Sequence, residues 1–162
     1  MLPGVKPEGE WQWKFHAFWL NGAVEPATGE SFFWRISHAD SAFFQGYLEE
    51  LAQAHADDFL ILQVDNGRLH TAKKLKIPQN VMLLFQPPCC PELNTQERVW
   101  QHLKGDLHWE MFDSLEELEV KVEKLLDALT PDIVRSLTGY DFILDALSVA
   151  GIFEFGITTL IL

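Results

Sequence analysis

Residues 59–65 read FLILQVD. The run from Phe59 to Val64 is short and almost entirely apolar, which is typical of a strand buried on both faces of a sheet. It stops at Asp65, and Asn66 and Gly67 follow. In open α/β sheets, ligands bind beyond the carboxyl ends of the strands. An aspartate here favours either a cation site or a cap for the next segment, and position alone does not separate the two.

Two more strands and a helix are predicted before this run. Residues 11–20, WQWKFHAFWL, alternate with period two and are rich in aromatics, which predicts a strand. Asn21-Gly22 is a candidate hairpin turn, residues 25–30 give a second turn signal, and residues 31–37 predict the next strand. A helix is expected to begin at Ser41, because one stripe at helical spacing contains Phe44, Tyr47, Leu48, Leu51 and His55.

The elements predicted after the run include one more strand and then mostly helices. We predict a short helical segment around residues 69–75, a break at 78–80 and another buried strand over 81–85. A loop with three prolines covers residues 86–91, and a helix runs from about Asn94 to Leu107.

The C-terminal third carries two clear helix starts. Ser114 and Glu117 form a capping box, and Thr130-Pro131 places a proline at a first helical position. A last helix is expected over residues 141–150. Consecutive strands followed by strand–helix alternation predict a mixed α/β sheet with helices on its faces.

Composition limits the function classes. The chain has 162 residues, 48% of them hydrophobic, and a formal net charge of -12. This charge argues against a broad phosphate-binding face, so any DNA contact must be local or bridged by metal ions. Cys89 and Cys90 are neighbours, which suits neither a disulfide nor a CxxC zinc element, and we expect two free thiols.

No targeting or membrane segment is predicted. The N-terminal residues lack the apolar core of a signal peptide, so we expect a cytoplasmic protein. The apolar stretch of residues 142–162 raises the question of a membrane span. Polar and small residues interrupt it at Asp145, Gly151, Glu154 and Gly156, which favours a buried helix followed by a short strand.

Glu97 is the second candidate acid. It lies on the flank of the apolar stripe formed by Val99, Trp100, Leu103 and Leu107, so it can reach along the edge of a sheet. On its own, Glu97 is better explained as a first-turn acid favoured by the helix dipole.

The motifs together are more specific than either acid. Asp65-Asn66 follows a strand, and the later loop reads PPCCPELNTQE over residues 87–97, before Trp100 and Leu103-Lys104. This resembles the DDE transposases of the mariner-like superfamily, in the bacterial insertion-sequence branch, whose loop has the form PPYSPELNPIE. The 31 residues between Asp65 and Glu97 are close to the spacing of that family. The resemblance covers about residues 4–153.

The resemblance implies a fold, a chemistry and partners. It implies an RNase H-like mixed sheet with flanking helices, and a DNA transposase or endonuclease that hydrolyses phosphodiesters and transfers strands. Asp65 and Glu97 match the second and third carboxylates of a site for two Mg²⁺ or Mn²⁺ ions. Asn66 and His70 are supporting candidates, although His70 also suits a DNA contact or a purely structural role. The implied partners are transposon-end and target DNA, with a homodimer or a complementary transposase chain, at the bacterial nucleoid.

The chain also departs from the family pattern. The first catalytic aspartate of such proteins lies on a central first strand, upstream of the segment that matches residues 4–7, so we expect an N-terminally truncated domain without that strand. Cys89-Cys90 replace the usual Tyr-Ser, and Thr95-Gln96 replace Pro-Ile. A catalytically dead remnant, or half of a split transposase, is therefore the alternative to an active enzyme.

The missing strand leads to one structural expectation. We expect residues 1–153 to form the catalytic domain and residues 154–162 to be a tail outside the resemblance. The tail segment 155–162, FGITTLIL, is the spare strand-like segment and the candidate for the empty slot. The alternative is direct pairing of the 11–20 strand with the 59–64 strand. The tryptophans Trp11, Trp13, Trp19 and Trp34 suit a core better than base stacking.

Overall fold

The computed structural model describes residues 17–36, 41–68, 70–71, 74–150 and 157–161. Five strands form one mixed sheet: β1 (Trp19–Val24), β2 (Ser31–Ile36), β3 (Phe59–Val64), β4 (Val81–Phe85) and β5 (Ile157–Ile161). The five α-helices are α1 (Ser41–Ala54), α2 (Gln96–Leu107), α3 (Leu115–Asp127), α4 (Pro131–Thr138) and α5 (Asp141–Val149). A short 3₁₀ turn, Pro91–Leu93, precedes α2.

The strand order is β2-β1-β5-β3-β4, so the last strand of the chain lies in the middle of the sheet. β5 is parallel to β3 over five residue pairs and antiparallel to β1 through the pair Val24–Ile161. The prediction that the tail fills the slot between these strands is confirmed, and direct pairing of β1 with β3 is wrong. The mixed sheet with helices on both faces is consistent with the predicted RNase H-like class.

The hairpin between β1 and β2 turns later than one sequence signal suggested. Asn21-Gly22 lies inside β1, paired with Trp34 and Phe33, so the turn predicted there is wrong. A Cβ on Gly22 would come within 2.4 Å of the Phe33 ring. Glycine is therefore needed here because the ring packs closely against the backbone, and not because the chain turns. The chain reverses over residues 25–30 as predicted, with Gly29 at φ 80°. The part of the predicted 11–20 strand before residue 17 lies outside the described residues.

The core has two sides, one on each face of the sheet. α1 covers one face through Phe44, Tyr47, Leu48 and Leu51, which pack against Ala23, Leu60, Leu62 and Leu160. The other face is covered by α2 and α4, through Val99, Leu103 and Val134 with Val24, and by α5, through Ile143 and Leu147 with Ile161. Burial raises the pKa of the Tyr47 hydroxyl, which lies 3.4 Å from the carbonyl of Phe32.

Two predictions about burial and one about a helix need correction. β4 is the last strand in the order of the described strands, and Met82 and Leu84 on one of its faces are 44% and 48% exposed, so β4 is not buried on both faces. β3 is fully buried on its α1 face and half-buried at Ile61 and Gln63 on the other. The described part of residues 69–75 forms turns instead of a helix, since the Gly67 amide donates to Asp65 Oδ1 and starts a local turn.

The predicted helix starts are confirmed. Ser114 precedes α3, and its hydroxyl accepts from the Glu117 amide at 3.1 Å. Thr130 caps α4, with Pro131 at its first position. α2 begins at Gln96, two residues after the predicted start, because the 3₁₀ turn takes up the chain before it. In the part of the chain that is described, no helix is long and apolar enough to cross a membrane.

Candidate active site

Asp65 follows the last residue of β3, and its carboxylate is held by a tight local turn. The Gly67 amide donates to Asp65 Oδ1 at 2.7 Å, and His70 Nδ1 lies 2.7 Å from the same oxygen. Because a carboxylate only accepts, Nδ1 of His70 carries the proton in this bond. The other oxygen, Oδ2, accepts no hydrogen bond from the described residues, and the side chain is 60% exposed. One carboxylate oxygen is therefore fixed and the other is open to a ligand.

The His70 ring packs against α1. Its centroid lies 4.6 Å from that of the Phe44 ring in α1, and the side chain is only 15% exposed. The ring thus bridges the helix that covers one face of the sheet and the carboxylate at the end of β3. This is the arrangement by which outer groups orient a ligating carboxylate in metal sites. The contact supports the orienting role over a direct DNA contact.

Asn66 ties the ends of two parallel strands together. Its amide Nδ2 donates to the carbonyl of Gln86 at 2.7 Å, and the Gln86 amide donates to Val64 at 2.9 Å. The proline-rich loop therefore begins directly beside Asp65. A cavity of about 410 Å³ lies between the two segments, lined by residues 65–67 and 86–91. Asn66 is a bracing residue of this cavity wall.

The two cysteines lie in the loop and are free, as predicted. Cys89 adopts φ 63°, a left-handed conformation that is uncommon for residues other than glycine. The Cys90 thiol lies 3.6 Å from the carbonyl of Pro88. The loop is thus a tight reversal that returns the chain from the sheet edge to the start of α2.

Glu97 is the second residue of α2 and is exposed. The start of this helix is connected to β3, because Gln63 Nε2 donates to the carbonyl of Leu93 at 2.8 Å. Glu97 does not line the cavity beside Asp65. Its carboxylate has no hydrogen bond or ion pair with the described residues. The structure therefore brings Asp65, Asn66 and His70 together. It attaches the chain before α2 to β3 at Leu93, four residues before Glu97.

Sequence reasoning missed a cluster of buried polar atoms before and at the start of α2. Gln96 is fully buried, yet neither of its amide atoms has a hydrogen-bond partner in the described structure. The same holds for Asn94 Oδ1, Thr95 Oγ1 and Gln86 Nε2. Each such group costs about 1–3 kcal/mol. The signal was visible in the sequence, because Thr95-Gln96 stand where the resembled family has an apolar Pro-Ile pair.

The donor atoms present fit a hard divalent cation only in part. Within the described ranges there is no group of three or more His, Cys, Asp or Glu side chains placed to hold a metal ion. Asp65, through Oδ2, and Glu97 nevertheless supply carboxylate oxygens that have no hydrogen-bond partner among the described residues, and Mg²⁺ takes one or two carboxylates while keeping several waters.

Comparison with known proteins supports the same family. The profile of the DDE superfamily endonuclease family matches residues 1–119. The chain belongs to the DDE superfamily endonuclease family. An uncharacterized protein of Sinorhizobium fredii, y4pE/y4sA, is 34% identical over 89 residues, which cover 54% of this chain and 66% of that protein. The chain therefore spans somewhat less than two thirds of this relative. No solved structure matches the chain significantly.

The family match indicates the class of enzyme to which the candidate site belongs. The family name denotes endonucleases, which are enzymes that cleave nucleic acids at internal phosphodiesters. Enzymes of this kind act on phosphodiesters with divalent metal ions. The match includes β3, the turn of Asp65, the proline-rich loop and all of α2.

Proposed function

We propose that this chain is the catalytic region of a metal-dependent DNA transposase of the mariner-like, insertion-sequence branch. The observation that carries the proposal is the Asp65 carboxylate, which has one oxygen fixed by Gly67 and His70 and the other free beside a cavity. The reactions would be phosphodiester hydrolysis at transposon ends and strand transfer into target DNA. Its place of action would be bacterial DNA in the cytoplasm.

Asp65 and Glu97 are the proposed ligands of Mg²⁺ or Mn²⁺. When bound, two such ions would supply an activated oxygen nucleophile and stabilise the leaving oxygen. The chain's own residues prepare this site. His70 fixes the rotation of the Asp65 carboxylate through Oδ1, and Asn66 holds the loop that forms the opposite wall of the cavity. Gln63 fixes the distance between β3 and the turn that leads to Glu97.

A third carboxylate is needed to complete a DDE set. β5 occupies the central position of the sheet, and its residues Ile157–Ile161 include no acid. We propose that the third ligand comes from outside the described residues or from a second chain, and that this chain alone cleaves DNA weakly. The domain would extend over residues 1–153, with 154–162 as an added tail.

The second candidate function is a non-catalytic one. A remnant, or half of a split transposase, would act by pairing with a complete or complementary chain. The observation that favours it is the sheet itself, because a strand without carboxylates fills the central position between β1 and β3. A homodimer, in which each chain supplies DNA contacts, fits the catalytic proposal instead.

Metal binding tests the site before any cleavage assay. Titration of the purified chain with Mn²⁺, followed by the electron paramagnetic resonance of free Mn²⁺, should show weak binding that Asp65→Asn and Glu97→Gln each reduce. Asp106→Asn and Glu50→Gln are the matched controls, since both acids are exposed and lie on helices away from the cavity. Equal Mn²⁺ binding by all five proteins would refute the assignment of Asp65 and Glu97.

Cleavage then separates the two functions. With Mg²⁺ or Mn²⁺, the chain alone should nick supercoiled plasmid only slightly, because two carboxylates hold a metal loosely. Robust cleavage that Asp65→Asn abolishes would show an active enzyme and would contradict the proposed need for a third ligand. Metal binding without any cleavage by the chain alone would favour the remnant.

A further inference from the structure

The charges of this chain are distributed unevenly. The chain has 24 acidic and 12 basic residues, yet none of the acids lies between Asp65 and Glu92. Four of the basic residues do: Arg68, Lys73, Lys74 and Lys76. The remaining chain therefore has 8 basic residues against 24 acidic ones. One segment of a strongly acidic protein is locally cationic, and it begins directly after the candidate catalytic aspartate.

The described cations of this segment have no ion-pair partner among the described residues. Arg68, Lys74 and Lys76 are exposed, and none forms an ion pair with the described residues. Three cations elsewhere are paired with acids, since Arg35 lies 2.7 Å from Glu119, Lys121 2.8 Å from Glu110 and Arg135 2.6 Å from Asp132. An exposed cation without an acidic partner keeps its full attraction for an external anion.

The backbone that carries these cations is anchored at both ends. At the start, the Thr71 amide and hydroxyl both donate to the carbonyl of Gly67, at 3.2 Å each. At the far end, Gln45 of α1 binds Lys76 twice, through its Nε2 to the Lys76 carbonyl at 2.9 Å and through its Oε1 to the Lys76 amide at 2.7 Å. The backbone is thus held at Thr71 to the turn that follows Asp65, and at Lys76 to α1.

We propose that Arg68, Lys74 and Lys76 bind the phosphate backbone of the DNA strand that reaches the Asp65 site; this rests on the proposed function. The rest of the chain, with its excess of acids, repels a polyanion, so the cationic segment also sets the side from which DNA approaches. Contacts from lysine and arginine to phosphates position a duplex without reading its sequence. The segment is accordingly a positioning surface, equally effective on transposon-end and target DNA.

Binding without metal tests this surface separately from catalysis. Fluorescence anisotropy of a labelled 20-base-pair duplex would be measured in EDTA over a range of salt concentrations. Lys74→Gln with Lys76→Gln should weaken binding at low salt by about tenfold or more. It should also reduce the slope of log K against log salt by about 2, since each phosphate contact contributes about 0.9. Arg68→Gln should reduce the slope by about 1.

A charge-matched control makes the outcome decisive. Lys104→Gln with Lys124→Gln changes the net charge equally at exposed lysines of α2 and α3, and it should alter binding less than twofold. Equal weakening by both double variants would show a general charge effect and would overturn the proposal, as would a wild-type chain that does not bind DNA at low salt. Because this assay contains EDTA, its result does not depend on metal binding by Asp65 or Glu97. Failure of the catalytic proposal therefore appears in the Mn²⁺ titration and failure of the surface appears here.

Discussion

The two halves of the candidate site differ in how completely their polar atoms are bonded. Around Asp65, Gly67, His70 and Asn66 each use a donor to fix the carboxylate or the adjoining loop. Around Glu97, the preceding residues Thr95 and Gln96 are buried with side-chain atoms that have no partner among the described residues. The Asp65 half is therefore preorganised by local sequence, whereas the Glu97 half leaves buried polar atoms unsatisfied among the described residues.

β5 joins the two halves, and its disruption should have the largest effect. Leu160 is 1% exposed, lies opposite Leu62 of β3 and packs in the core under α1. Leu160→Ala should lower the free energy of unfolding by about 2–5 kcal/mol, because it removes buried methyl groups and leaves a cavity. Urea denaturation followed by circular dichroism measures this. Val149→Ala, at a side chain 90% exposed, is the control and should change almost nothing. A Leu160 variant as stable as this control would mean that β5 does not hold the sheet together.

The elements that the sequence predicted correctly share a local cause. β3 was found from an uninterrupted apolar run and α3 from its Ser114 cap, because both depend on neighbouring residues. The tail strand was found by elimination, since FGITTLIL was the spare segment with β-branched residues. Asp65, Asn66 and His70 come together for the same reason, as all three lie within six residues of the end of one strand.

The predictions that were wrong concern features that depend on contacts between elements distant in the sequence. Asn21-Gly22 is a turn signal in isolation, but the Phe33 ring across the strand pair needs the space that Gly22 leaves. β4 has the composition of a buried strand, and only its place at the end of the described strand order shows that it is not buried on both faces. The burial of Gln96 follows from how α2 packs against β1, where the Gln96 amide approaches Gly22. No spacing rule along the chain contains that information.

His70 provides the next test of the comparison. If the Asp65 half is preorganised, then removing the His70 donor should lower Mn²⁺ affinity about 10- to 100-fold, as is typical of outer-shell partners. His70→Phe is the suitable variant, because it keeps an aromatic ring against Phe44 and deletes the bond to Asp65 Oδ1. His102→Phe, at an exposed histidine of α2, is the control. Unchanged Mn²⁺ affinity in His70→Phe, with a normal thermal midpoint, would leave the histidine a packing role alone.

Gln96 tests the Glu97 half of the site, and there the substitution should improve a property, namely stability, and not weaken one. Gln96→Ile restores the residue type of the resembled family and removes two buried amide atoms that lack partners. We expect a gain in stability of about 1–3 kcal/mol, the cost of burying such a group. In a chain of this size, each kcal/mol raises the thermal midpoint by about 2–4 °C. Gln53→Ile, at an exposed position of α1, should not reproduce the gain.

A loss of stability in Gln96→Ile would change the interpretation of this half. It would mean that Gln96 has a polar partner in solution, supplied by residues outside the described ranges or by a second chain. Repeating the measurement with an added complementary transposase chain separates these two sources. A shift that appears only with the added chain would identify Gln96 as part of the surface where the third ligand is supplied.

The smallest effect is expected outside both halves, at the cap of α3. The Ser114 hydroxyl accepts from the Glu117 amide, and the Glu117 carboxylate accepts from the Asp113 amide at 2.8 Å. Ser114→Ala should lower the free energy of unfolding by about 1 kcal/mol, because the Glu117 amide at the helix start loses the hydroxyl that accepts its hydrogen bond. Ser114→Asp keeps an acceptor and should recover that stability. Since neither change touches the sheet edge, Mn²⁺ and DNA binding should stay at wild-type levels in both. A change in binding with Ser114→Ala would show that stability alone alters the site. The change in binding caused by Ser114→Ala would then have to be subtracted from the effects predicted for His70 and Gln96 before either half is judged preorganised.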